Sequence, residues 1–370
     1  MVNFGARIKD FFSVLLFGAA STSSSSKTAL VSQGFYDAAL DFSHLSNVAY
    51  CVHAPITPLK DDFSCGQSCV HFPDMELVTT FGGDQFSTSI TGYLALDHVK
   101  KEKYVVFRGT FSIPDAITDI RFQQSSFLVN VPALNTFAPN DPSGEAQIDC
   151  KECKIHDGFS RAFTETLHNI GPVLQQHLDS YPEYQLYVTG HSLGAAMALL
   201  AGTSIKLQGY DPIVINYGQP RVGNRAFADY ISTLWFGNGD GLEINRQRRM
   251  YRMTHWNDVF VGLPNWDGYT HSSGEVYIKG KWVNPALRDV FSCAGGENPE
   301  CYRSTFNLLA QINLLQNHLC YIDYIGFCAL NVGRREVNEL QTDLPSYTGP
   351  YRYGNKTEED FVREGLELAQ

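Results

Sequence analysis

The sequence predicts an α/β fold, with a predominantly parallel central sheet and helices packed on both of its faces. Three observations predict it. Short strand-like runs alternate with longer helical ones from Ser32 to about Cys328. The two long later helical stretches each fall between strands, as a parallel sheet covered on both sides requires. A serine between glycines, Gly190-His191-Ser192-Leu193-Gly194, stands where a short apolar run gives way to a run of helix formers.

Taken in order, residues 92–99, 103–108, 185–189, 213–217, 250–254 and 275–279 read as strands. Residues 36–50, 158–181 and 192–208 read as helices, separated from the strands by their greater length. No internal repeat is visible. The ends differ in kind from this middle. Arg7 and Lys9 precede about ten apolar residues from Phe11, and a Ser/Thr tract follows over 21–26. That order describes a secretory signal peptide, and the run is too short for the ~20 residues of a membrane-spanning helix. Asp10 at its edge keeps a buried amphipathic helix open as the alternative. Residues 1–26 are thus read as signal and Ser-rich linker, 32–330 as the catalytic domain and 331–370 as a polar tail. The tail carries the glycosylation sequon Asn355-Lys356-Thr357 and shows no apolar period before 358–368.

The 370 residues are 44% hydrophobic and 18% charged, enough for one sizeable core or two small ones. Net charge is −11 with both signs mixed along the chain, whereas phosphate binding needs a basic face, so nucleic acid is excluded as a partner. Nine cysteines, at 51, 65, 69, 150, 153, 293, 301, 320 and 328, suit an oxidising compartment. By spacing, Cys65/Cys69, Cys150/Cys153 and Cys293/Cys301 form local pairs, with Cys51 and Cys328 near the two ends. Sequence alone leaves the connectivity open, and zinc is a rival for the first two pairs.

The serine motif is the nucleophile elbow of an α/β-hydrolase, in which glycines let sheet and helix pass close together. The following helix points the positive end of its dipole at the serine. An activated serine needs a base and the base an orienter, here in the chain order serine, carboxylate, histidine. Beyond Ser192 the histidines are His255, His271 and His318, and the leading carboxylates are Asp211, Asp258 and Asp267. Asp258 directly follows a strand, at the sheet edge where ligands bind in open α/β folds. His318 lies late in the chain in a loop-like context. His255 is too near Asp258 for both to face the elbow, and His271 and His156 read as structural histidines.

Several ordered blocks accompany the elbow. They are Asn47-Val48-Ala49-Tyr50-Cys51, Arg108-Gly109-Thr110, His156-Asp157-Gly158-Phe159, Tyr217-Gly218-Gln219-Pro220-Arg221-Val222-Gly223-Asn224, Trp266-Asp267-Gly268-Tyr269 and Asn317-His318-Leu319. With them the chain, over about 36–328, resembles the fungal class 3 triacylglycerol lipases, the secreted yeast branch in particular. The resemblance implies Ser192, Asp258 and His318 as the catalytic triad. It implies disulfides 51–328, 65–69, 150–153 and 293–301, with Cys320 left over. It also implies Thr110, together with the N–H of Leu193, as oxyanion donors; a turn residue capping a strand is the plainer reading of Thr110. The family commonly has a proline after the aliphatic pair that follows the acid, whereas this chain reads Val259-Phe260-Val261. Phe260 therefore adds bulk where the acyl pocket begins, and Phe260 and Leu319 are the candidate substrate-pocket residues.

Beside the oxyanion loop, Ile113, Ile117 and Ile120 recur at i, i+4 and i+7, with Pro114 placed as helices like to start and Asp115 and Asp119 opposite. Such a helix either packs permanently into the core or forms a lid. Exposing three isoleucines to water costs roughly 4–9 kcal/mol, a cost that largely vanishes at a lipid surface. The expectation is thus a secreted lipase that acts as a monomer at an oil–water interface, with its lid touching lipid and with no cofactor or metal. Phospholipase A1, a short-chain or aryl esterase, and an inactive lipid-binding relative are the alternatives.

Overall fold

The computed structural model describes residues 27–83, 90–110, 150, 152–244, 248–265, 268–305, 316–326 and 328, and the backbone alone of 128–130, 314–315, 352–353 and 356–357. The expected signal segment, the lid isoleucines Ile113, Ile117 and Ile120, and most of the tail lie outside the described residues.

Nine strands make the central sheet: Thr28–Leu30 (β1), Met75–Phe81 (β2), Gly92–Asp97 (β3), Glu102–Phe107 (β4), Gln185–His191 (β5), Ile213–Tyr217 (β6), Met250–His255 (β7), Glu275–Ile278 (β8) and Val290–Cys293 (β9). Their order is β1-β9-β8-β7-β6-β5-β4-β3-β2. The five strands from β4 to β8 run parallel, and both flanks are antiparallel. All six expected strands are present, each within a few residues of its expected bounds. β1, β2 and β9 were not expected. They sit at or beside the sheet edges, where β2 is only partly buried and the short β1 is largely exposed, so neither shows a clean apolar run.

Helices Gln33–Val48 (α1), Asp157–Ser180 (α2), Leu193–Leu207 (α3), Arg225–Phe236 (α4), Tyr302–Thr305 (α5) and Leu314–Leu319 (α6) surround the sheet. α1 begins three residues before its expected start because the Ser32 hydroxyl caps it, accepting from the Phe35 N–H at 3.2 Å. α4 was not expected. Asn224 caps it in the same way, through the Phe227 N–H at 3.0 Å.

Alternate residues of each strand face opposite sides. Tyr104, Val106, Ile215, Tyr217 and Met253 pack against Phe35, Ala39, Phe42 and Leu45 of α1. Val105, Phe107, Val188 and Val214 pack on the other side against Phe159, Phe163 and Ile170 of α2 and Met197 and Leu200 of α3. This is the two-faced covering that the alternation of elements predicts.

Disulfides join Cys51–Cys328, Cys65–Cys69, Cys150–Cys153 and Cys293–Cys301, the pairing that the resemblance implies; Cys320 is buried and outside them. The first closes a span of 277 residues and ties the end of α1 to the segment after α6, worth roughly 5 kcal/mol by loop entropy. Among the described residues no helix is long and apolar enough to cross a membrane.

Candidate active site

Register decides which loops meet. Phe107 pairs with Gly190, His191 with Tyr217, and Tyr217 with Met253, so β4, β5, β6 and β7 end together at one edge. The segments leaving that edge carry Thr110, Ser192, Gly218 and Asp258.

Ser192 occupies the turn between β5 and α3 with φ +59° and ψ −126°, a conformation that L residues rarely adopt. Its N–H is fixed by the Tyr217 carbonyl at 2.9 Å. The flanking glycines are required by close approach. A β-carbon on Gly190 would fall 2.4 Å from the Gly194 carbonyl oxygen, and one on Gly194 would fall 2.3 Å from that of Phe107. A β-carbon on Gly109 would lie 3.0 Å from that of Ser192, which sets Thr110, the next residue, beside the elbow. Leu193 is the first residue of α3, so its N–H is one of the unpaired donors at a helix start.

Asp258 lies three residues past β7, in a turn where its Oδ1 accepts from the Phe260 N–H at 3.0 Å. The His318 Nδ1–H reaches both of its carboxylate oxygens, at 2.9 and 3.0 Å. The Tyr321 hydroxyl donates to Oδ2 at 2.5 Å. Three donors thus compensate a fully buried carboxylate. They also fix the imidazole tautomer, leaving Nε2 of His318 as the lone-pair nitrogen; it is buried and, among the described residues, holds no hydrogen bond.

Two other histidines hold the backbone around His318. His191 Nε2–H donates to the His318 carbonyl at 2.8 Å and His255 Nδ1–H to the Asn317 carbonyl at 2.8 Å. Burial pushes both below the ordinary imidazole range, so they serve as neutral donors. The other nitrogen of His191 accepts from the Tyr50 hydroxyl at 2.7 Å. Gly218, at φ +61°, clears space under the imidazole: a β-carbon there would lie 2.9 Å from His318 Cε1.

The structure therefore brings Ser192, Asp258 and His318 to one place. Asp211 is half exposed and pairs with Arg249 at 2.8 Å, away from this site, and Asp267 lies outside the described residues. His271 donates to the Val261 carbonyl at 2.7 Å, and His156 caps α2 through Gly158, both structural as expected. His255 bonds the carbonyl of Asn317, beside His318. His318 stands on helix α6 and not in a loop. Phe260 is fully buried and lies on the His318 ring, centroids 3.8 Å apart; Leu319 is buried against Gly326.

Tyr321, Tyr302, Gly218, Tyr50 and His191 were not read as site residues. For Tyr321 a signal existed, its i+3 spacing from His318. The others depend on contacts between distant segments. One group of potential metal-binding atoms gathers among the described residues, Glu275 with Cys293 and Cys301, but the two sulfurs are joined to each other.

A serine elbow at the carboxyl edge of a largely parallel sheet, with a hydrogen-bonded histidine and aspartate from later segments nearby, defines an α/β-hydrolase. Residues 104–268 match the family described as Lipase (class 3). The chain is 30% identical over 288 residues to secreted mono- and diacylglycerol lipase 2 of Gibberella zeae, covering 73% of this chain and 69% of that protein. Its fold is similar to the crystal structure of Lip2 lipase from Yarrowia lipolytica, with a TM-score of 0.75 and 40% identity over 83% of this chain and 99% of that one. Lipase II from Rhizopus niveus is similar at a TM-score of 0.61 and 26% identity, over 82% and 100% of the two chains. The chain belongs to the class 3 lipase family, and it is a lipase.

Proposed function

We propose that this lipase is secreted and hydrolyses the carboxylic ester bonds of triacylglycerols through an acyl-enzyme. The observation that carries the reading is the His318 Nδ1–H held between both oxygens of Asp258 beside the Ser192 elbow. Ser192 Oγ attacks the ester carbonyl and His318 Nε2 takes its proton, while Asp258 keeps the tautomer. The negative oxygen is held by the N–H of Leu193 and by Thr110. The proton passes from His318 to the departing alcohol, and water then repeats the sequence on the acyl-enzyme. The i, i+4, i+7 spacing of Ile113, Ile117 and Ile120 supports a lid that opens on lipid, and Leu319 borders the acyl pocket while Phe260 backs the His318 ring. Four disulfides and the name of the Gibberella relative support secretion.

The test is covalent labelling by an organophosphonate with mapping of the modified residue, beside turnover of Ser192→Ala. Label on Ser192 and loss of hydrolysis in the folded variant are expected; unchanged hydrolysis by Ser192→Ala removes the mechanism. That same relative's name favours a second reading, in which partial acylglycerols are the better substrates. Initial rates on tri-, di- and monoacylglycerol emulsions of one chain length separate the two.

A further inference from the structure

The turn that carries Asp258 is held from outside by a residue welded to a disulfide. Tyr302 follows Cys301 directly and opens α5. Its hydroxyl donates to the Asp258 main-chain carbonyl at 2.6 Å, and its N–H to Glu275 Oε1 at 3.2 Å. Glu275 accepts in turn from the Thr254 hydroxyl at 2.8 Å, on the strand that delivers Asp258. The Tyr302 ring is buried in a small cluster with Val261, Tyr277, Cys293 and Cys301, separate from the two large cores. Cys293 ends β9, so the bridge pins the start of α5 to the sheet across a span of eight residues. Besides the bond, the connection is held by the Asn298 side chain, which donates to the carbonyls of Lys27 and Ala294.

We propose that Tyr302 is a positioning residue for Asp258, and that the Cys293–Cys301 bridge acts on catalysis by holding Tyr302 in place. The proposal rests on reading Asp258 as the triad acid. The hydroxyl satisfies a buried carbonyl and fixes the rotation of the turn, and hence the direction in which the carboxylate meets His318. Displacements of about 1 Å at a catalytic group can cost on the order of 10²-fold in rate. Opening the bridge takes two electrons and two protons from a dithiol, which is oxidised to its own disulfide, and leaves two thiols. Without the bridge α5 keeps only non-covalent anchors, the Tyr302 N–H on Glu275 and Thr305 Oγ1 accepting from the Asn257 N–H and the Tyr277 hydroxyl, and Tyr302 loses its fixed height over Asp258. In this way one bond far from substrate sets the turnover of the site.

The experiment uses the full chain and a soluble ester. It compares kcat per phosphonate-titrated site, KM and melting temperature for Tyr302→Phe, for Cys293→Ser with Cys301→Ser, for all three changes together, and for Asp258→Asn. Tyr302→Phe is expected to lower kcat per titrated site about tenfold with KM within about twofold, consistent with loss of one buried hydrogen bond. The bridge-less variant should lose a similar factor, and the triple variant no more than the larger of the two. Unchanged kcat per titrated site in Tyr302→Phe overturns the proposal, even if fewer sites are titrated, because the ring then merely packs. Independent, multiplying losses overturn the role of the bridge. Full activity in Asp258→Asn instead removes the triad reading beneath. If the serine pair yields no titratable sites, graded reduction of the unaltered chain with mass mapping decides: activity tracks opening of 293–301, or the role of the bridge falls.

Discussion

Phe260 lies nearly parallel to the His318 imidazole, with ring centroids 3.8 Å apart and planes 21° from parallel. The aromatic ring that replaces aliphatic bulk after Asp258 is thereby spent on His318, the proposed base, since Phe260 is 1% exposed. It holds one face of the imidazole while Asp258 holds its edge. Phe260→Ala is expected to lower kcat about tenfold or more on short and long acyl chains alike, and to cost about 3–5 kcal/mol of stability. A chain-length series on the variant checks this. A change in length preference with kcat preserved on one substrate would assign Phe260 to the pocket and not to the base.

Gly218 allows the base its position. At φ +61° any side chain is strained, and a β-carbon would press to 2.9 Å from His318 Cε1 and 2.8 Å from the Tyr321 hydroxyl. Gly218→Ala should therefore cost activity more than fold, with kcat falling about 10²-fold while circular dichroism is retained. Wild-type turnover in the variant would mean that the imidazole works from another place.

Thr110 follows Gly109, whose backbone is packed against Ser192 Cβ. Thr110→Val keeps the shape and the main-chain N–H but removes the hydroxyl. If that hydroxyl helps hold the negative oxygen, kcat falls ~10²–10³-fold with little change in KM. A loss below twofold would leave the main-chain donors alone in that role.

Acid should destabilise the fold. Burial lowers His156 from 6.5 to about 4, with Asp157 opposing, and lowers His191, His255 and His271 too. Below pH 6.5 the unfolded chain binds protons that the folded one refuses. The stability is thus fully present above 6.5 and declines as pH falls toward the folded values, by up to about 1.4 kcal/mol per pH unit for each histidine. Glu297, lowered to about 2 by the hydrogen bonds and charge of Arg221 against its burial, adds a loss below pH 4.5 as its ion pair with Arg221 is protonated away. Denaturant unfolding from pH 8 to pH 4 measures the slope. His156→Asn, which keeps a capping side chain for α2, should flatten it between 6.5 and 4; parallel curves for the two chains would contradict the assignment.

Much of this was legible in the residues, and the boundary has a physical cause. Strand and helix alternation, the glycine-flanked serine and the short cysteine spacings are local properties. Backbone conformation and side-chain period decide them within a few residues, and the observed β3 to β8 and α1 to α3 follow them closely. Edge strands β1 and β2 escaped because partial exposure dilutes an apolar pattern; β9, mostly buried beside β1, was missed as well. For the acid and base, placement after a strand favoured Asp258 and closeness to it counted against His255, while the triad assignment of Asp258 and His318 came from the family pattern.

Only the folded chain decides the rest. Asp258 and His318 are separated by 60 residues, and Tyr50 and His191 by 141. Whether such groups touch depends on the register of β4 to β7 and on how each loop closes over the sheet edge, which no short window of sequence encodes. That is why Ser192 could be proposed as the nucleophile from its neighbours along the chain. The stacking of Phe260, the space left by Gly218 and the grip of Tyr302 and Tyr321 on Asp258 exist only once the sheet has aligned the loops.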